Sequence, residues 1–281
     1  MARTTIAGER LTGERALFGL EGADVTDTIF ADGESPLKHS RDIHLSRTVF
    51  QWKYPLWYSR DVTLDDSSFL DTARSGPWYA DDMTVRRTLI AAPKTFRQCR
   101  RLSLEDVSMP DAAETLWSCD DVRLTRVSAR GDYFGMGSSH VVAQDFDLTG
   151  NYAFDGGHDI EITGATLLSK DAFWNCHDVT VRDSTIIGEY LGWNSRNVTF
   201  VNCLIESLQG LCYIDNLVLR DCRLINTTLA FEYSRVDARL VGGVDSIINP
   251  SGGVIEADHF GEVIMDPARV DVDATRLVKR G

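Results

Sequence analysis

Four carboxylates, Asp132, Asp155, Asp171 and Glu189, stand near the turns of successive stretches of a 281-residue chain, with Lys170 among them. Paired carboxyl groups about 5–9 Å apart are the apparatus of glycoside hydrolysis: one gives a proton while the other activates water or attacks carbon. Lys170 in their company could stabilise an anion or serve as a base. The competing reading is a solvated ladder of ion pairs, which contributes little even to stability. Aromatic residues run beside these charges. Of six tryptophans, five (Trp57, Trp78, Trp117, Trp174 and Trp193) recur at one place in the sequence pattern. An indole face stacks on the apolar face of a sugar ring, while flanking charges bond its hydroxyls. Lys94 and Arg97, close to the same place, are the candidates for holding anionic groups.

The element that returns these residues to one place is a short repeat. "KDAFWNCHDVTV" begins at Lys170, and "EYLGWNSRNVTF" follows in the same order 19 residues later. The unit is a small or turn residue, two polar residues and an apolar–x–apolar pair. Its first apolar member falls at Ile43, Val62, Met83, Leu102, Val122, Val141, Ile160, Val179, Val198, Leu217 and Val236. Such a period is too short for a helical solenoid, and the apolar residues alternate with period two in bursts broken by Asp, Asn, Ser and Gly. In the unit that opens at Val179, one burst holds Val179 and Val181, a second Ser184 and Ile186, and a third Leu191 to Trp193. Three short strands and three turns per coil, stacked about 4.8 Å apart, make a parallel β-helix. The usual hand of β-to-β crossovers makes it right-handed. We expect an all-β, single-domain solenoid of about 11–12 coils: residues 1–34 an N-terminal cap of extra strands, 35–260 the coils, and 261–281 a last strand and tail.

Aligned on the first apolar residue, the sequence becomes columns. The residue two after it (Leu45, Leu64, Val85, Leu104 and onward) is interior, and so is the column six before it. The tryptophans stand five before it, which strand alternation turns outward. Lys38, Arg97 and Asp155 share that column, and unpaired charge is rarely buried. An exposed aromatic stripe is an interface. Three occupants fit: an oligosaccharide, a second protomer, or a terminal segment of the same chain. Acids dominate the column one before the first apolar residue; a calcium row is conceivable, but Asp and Asn bonding their own turn backbone explains it better. His158 and His177 stack on adjacent coils, as turn residues do.

The bulk properties exclude several classes. A net charge of −13 argues against nucleic-acid and anionic-membrane partners. No run is apolar for the roughly 18 residues that a membrane helix needs. The first twenty residues show no apolar core and cleavage site of a secretory signal, so a cytoplasmic location is expected. The six cysteines have no zinc-like spacing and are expected as free, buried thiols. No metal or cofactor is expected.

The repeat region resembles the pectin-lyase-like right-handed β-helix superfamily. More narrowly, "GESPLK", "WKYPLWY", "AETLWSC", "SKDAFWN", "GEYLGWNS" and "LQGLCY" resemble a bacterial family of unknown function, numbered 3737, from about Glu14 to about Asp266. The wider superfamily implies hydrolysis, β-elimination or epimerisation of polysaccharides. The chain lacks the Asp-Asp pair of polygalacturonases and the long loops that wall their grooves. Two expectations result. One is a carbohydrate-active protein, a hydrolase, lyase or epimerase, with sugar rings on the tryptophan column. There Asp155, Asp171, Asp132 and Glu189 supply acid and base. The other is a non-catalytic scaffold whose tryptophan face joins copies into a homo-oligomer.

Overall fold

The computed structural model describes residues 3–280 and divides into two compact units, 1–142 and 143–281. Each is built from β-strands in parallel ladders, and the chain makes about 15 turns of a β-solenoid. In the first unit the long side of each coil is a strand such as Arg41–Ser46, Arg60–Asp65, Asp81–Arg86 or Arg100–Glu105. These pair residue for residue: Ile43 opposite Val62, Val62 opposite Met83, Met83 opposite Leu102, and Leu102 opposite Val122. In the second unit Ile160, Val179, Val198, Leu217 and Val236 stand in the same succession. The columns drawn from sequence are therefore the true register. A one-residue slip would turn every apolar side chain to solvent, and that penalty holds the register.

A second, shorter strand follows in each coil, as in Val49–Phe50, Ser68–Phe69 or Thr185–Ile187. It feeds a phenylalanine stack, Phe30 on Phe50 on Phe69, with centroids 4.9 and 4.6 Å apart. The third side differs from the expected third strand. It is a run of turns in which alternate residues take a left-handed backbone: Tyr54, Leu56 and Tyr58 at φ of 62°, 59° and 57°, and likewise Asp171, Phe173 and Asn175 at 58°, 58° and 54°. Its amides bond alternately to the coils on either side: Tyr54 to the carbonyl of Arg74, Leu56 to that of Pro36, and Tyr58 to that of Trp78. These amides thus find acceptors without a regular strand. Bulky residues tolerate this φ only under such constraint, and Asn and Gly take it at little cost.

More coils form than the eleven or twelve expected. Strands Thr4–Ala7 and Glu21–Thr26 continue the ladder below Arg41–Ser46, and Gly252–Ala257 and Thr275–Lys279 continue it beyond Arg235–Leu240. The residues in register with the first apolar position there are Thr4, Ala23, Gly253 and Thr275, too small or polar for the pattern to show. The extra strands at the N-terminus are thus coils in their own right. All six cysteines are free and buried. Three of them, Cys99, Cys119 and Cys176, stand three before the first apolar residue, in a column that interleaves thiols with hydroxyls that bridge coils. Ser195 Oγ donates to the Phe173 carbonyl at 2.7 Å and accepts from the Cys176 amide at 2.9 Å.

Candidate functional site

The residues singled out from sequence fall into two groups, one in each unit. In the first, Trp57 and Trp78 stack with centroids 5.0 Å apart and planes 11° apart. The Arg97 guanidinium prolongs the stack, 4.6 Å from the Trp78 ring and 4.3 Å from that of Trp117. These indoles are half-buried rather than fully exposed, and Trp78 Nε1 donates to the Lys94 carbonyl at 2.8 Å. Trp57 Nε1 donates likewise to the carbonyl of Ser75. Lys94 and Arg97 both pair with Glu114, at 3.2 and 3.3 Å. The cations expected to seize an anionic ligand here already hold an internal one. Asp132 lies in this unit, on an exposed turn. One residue after the tryptophan column a second stack runs unanticipated: His39 on Tyr58 at 5.0 Å, and Tyr58 on Tyr79 at 4.8 Å. The signal for it was an aromatic at three successive coils, hidden by the louder tryptophan column beside it.

In the second unit Trp174, Trp193, Tyr152 and Tyr190 wall a cleft of ≈ 290 Å³, with Lys170 and Asp171 completing its lining. The turn side places them. Residue 171 occupies the position that holds tyrosine on both adjacent coils, Tyr152 before it and Tyr190 after it, so a carboxylate is set between two phenols. Its amide donates to the Glu189 carbonyl at 2.9 Å, which locks the backbone there. Trp174 meets Tyr152 edge to face at 5.8 Å and its indole N–H donates to the Tyr190 carbonyl at 2.8 Å. Trp193 stands 6.2 Å from Trp174 and 5.9 Å from Tyr190. Beyond Trp193 the column turns inward: Cys212 and Phe231, expected to face out, are wholly buried.

Asp171 is the unusual member. Only 2% of it is exposed, and its Oδ1 has no hydrogen-bond partner among the described residues. Burial pushes its carboxyl pKa above the ordinary carboxylate value; Lys170 and a hydrogen bond with Tyr152 oppose the rise, while Glu189 and Asp155 add to it. Lys170 Nζ lies 3.4 Å from Glu189 Oε2 and 5.2 Å from the centre of the Tyr190 ring. That pairing raises the ammonium pKa. Asp155 accepts a 2.9 Å bond from Asn175, which accepts in turn from Asn194. The structure therefore gathers Asp171, Lys170, Trp174 and Trp193 around one cleft, with Glu189 paired to Lys170 and both Glu189 and Asp155 in electrostatic reach of Asp171. His158 and His177 stack at 4.8 Å, each bonded to the aspartate that follows it. The acidic column shows left-handed φ at Asp42, Asp61, Asp82, Asp159 and Asp178, which accounts for its Asp and Asn content. Among the described residues no group of three or more His, Cys, Asp and Glu is placed to hold a metal ion.

Ladder and cleft define the class: a right-handed parallel β-helix with an aromatic-walled cleft on its turn side that holds Asp171 and Lys170. The chain belongs to the family described as protein of unknown function (DUF3737), whose profile matches residues 4–278. No curated protein matches the sequence. Among solved structures, the A-module of an Azotobacter vinelandii mannuronan C-5 epimerase is similar at 12% identity and a TM-score of 0.33, covering 98% of this chain and 87% of that one. A tailspike protein of E. coli bacteriophage HK620 is similar at 10% identity and a TM-score of 0.45, over 98% and 71%. The Streptococcus pneumoniae surface adhesin PfbA is similar at 9% and 0.32, over 89% and 70%. At these identities and scores the likenesses carry no argument about function.

Proposed function

We propose that the second-unit cleft binds an oligosaccharide and that Asp171 is the general acid of a glycoside hydrolase. One observation carries the reading: a nearly inaccessible carboxyl, one oxygen unpartnered, lining a cleft walled by aromatic rings. A raised pKa lets it keep a proton closer to neutral pH. Trp174 and Trp193 offer ring faces to pyranoses. Glu189, one coil on, and Asp155, one coil back, are the carboxylates available as base or nucleophile. Six free, buried thiols support a reducing, cytoplasmic setting, so the substrate is an imported fragment or an internally made glycan.

The test is tryptophan fluorescence titrated with an oligosaccharide panel, followed by turnover on whichever member binds. We expect a saturable shift that the double variant Trp174→Ala/Trp193→Ala abolishes. Asp171→Asn should keep the shift and lose turnover by at least about 100-fold. A panel without any shift, or full turnover in Asp171→Asn, would end this reading. A second use is favoured by Phe18 and Tyr58 in the first unit, 52% and 44% exposed: that face would meet another copy of the chain. Sedimentation of Tyr58→Ser against the parent decides it, since a parent that is already monomeric leaves the face without that role.

A further inference from the structure

We infer that the sugar accepted by the second-unit cleft is neutral and that uronic acids are excluded, a refinement that rests on the carbohydrate reading above. The charges at the cleft carry it. Among the described residues that line it, Lys170 is the one cation, and its ammonium already faces Glu189 at 3.4 Å. Against that single pair stand two further carboxyls, Asp171 and Asp155. The Asn175 amide that bonds Asp155 is a neutral donor and cancels no charge. Even with Asp171 protonated, acids outnumber the lysine. Among the lining residues a ligand carboxylate would meet only a lysine already paired with Glu189, with Asp171 beside it and a protein of net charge −13 behind it. A neutral ring meets none of this. Its apolar face can lie on Trp174 or Trp193.

The experiment titrates the full chain by tryptophan fluorescence with two tetrasaccharides of equal length, one of glucose and one of galacturonate. It is run at about 20 mM and about 300 mM salt, which changes the screening length severalfold. The neutral tetramer should bind at least about tenfold more tightly at low salt, and the gap should narrow at high salt. Glu189→Gln, which frees Lys170, should narrow it as well by strengthening galacturonate binding. Galacturonate binding equal to or tighter than the neutral tetramer would overturn the exclusion while leaving a carbohydrate site standing. A gap unmoved by both salt and Glu189→Gln would overturn the electrostatic argument. Binding of neither sugar would take down the carbohydrate reading, and this refinement with it.

Discussion

At the scale of the residue, Asp171 combines burial with an unpartnered oxygen, and both features work against folding. Its pKa is higher in the folded chain than in the unfolded one. An acid shifted upward is harder to ionise when folded, so it subtracts stability as pH rises above the unfolded value of about 3.9. The subtraction is complete once pH exceeds the folded pKa. Asp171→Asn should therefore be more stable than the parent at pH 7, by about 1 kcal/mol, with the advantage gone below about pH 4. Urea midpoints of the two proteins across that range check this, and a less stable Asn variant at neutral pH would contradict it. A gain in stability coupled to lost turnover is the signature of a group retained for chemistry. The thiols are shifted the same way, by the same cause. Burial pushes Cys176 and Cys212 up to about 12, so neither should react with a soluble disulfide reagent at pH 8 until the chain unfolds.

At the scale of the element, the turn side determines the cleft. Gly188 precedes Glu189 and Tyr190, and a Cβ there would stand 2.0 Å from the Ser169 carbonyl oxygen, immediately before Lys170 and Asp171. Both backbones would have to shift. Gly188→Ala is expected to cost at least about 2 kcal/mol and to weaken sugar binding in the same stroke. The hydroxyl rungs are a second test. Ser195→Ala removes the donor to Phe173 and the acceptor for Cys176, leaving two buried backbone groups unsatisfied, for about 1–3 kcal/mol. Chemical denaturation of each variant reads these losses directly.

At the scale of the whole molecule, the first unit carries a charge ladder along one turn edge. Arg47 pairs with Asp27, Arg87 with Asp66, and Arg126 with Asp106, coil upon coil. Each arginine's hydrogen bonds hold its aspartate below the ordinary carboxylate range. A depressed folded pKa contributes stability that is present above the unfolded value, about 4, and is lost as pH falls through the folded one. The first unit should thus lose urea resistance below about pH 4, less steeply at high salt, because these pairs are fully exposed to solvent. Circular dichroism at several pH values and two salt concentrations gives the answer, and an acid limb indifferent to salt would refute it.

The sequence by itself determined the ladder. A fixed register follows from apolar residues recurring at one spacing, because in a stacked coil the residue above and below is the residue one period away. Val179 beneath Val198 needed no coordinates. The tertiary structure decided what local spacing cannot contain. Whether position 171 is a solvated acid or a buried one depends on its packing with residues of the adjacent coils, Tyr152 and Tyr190 among them. The alternately left-handed third side was equally out of reach, since the residues on it (Leu56, Phe173, Tyr190) have no preference for that backbone and adopt it only because the amides of both adjacent coils require it. The coil at Ala23, expected as part of a cap, lacks the pattern for the opposite reason: its small side chain leaves the ladder to be held by backbone hydrogen bonds, which carry no sequence signature.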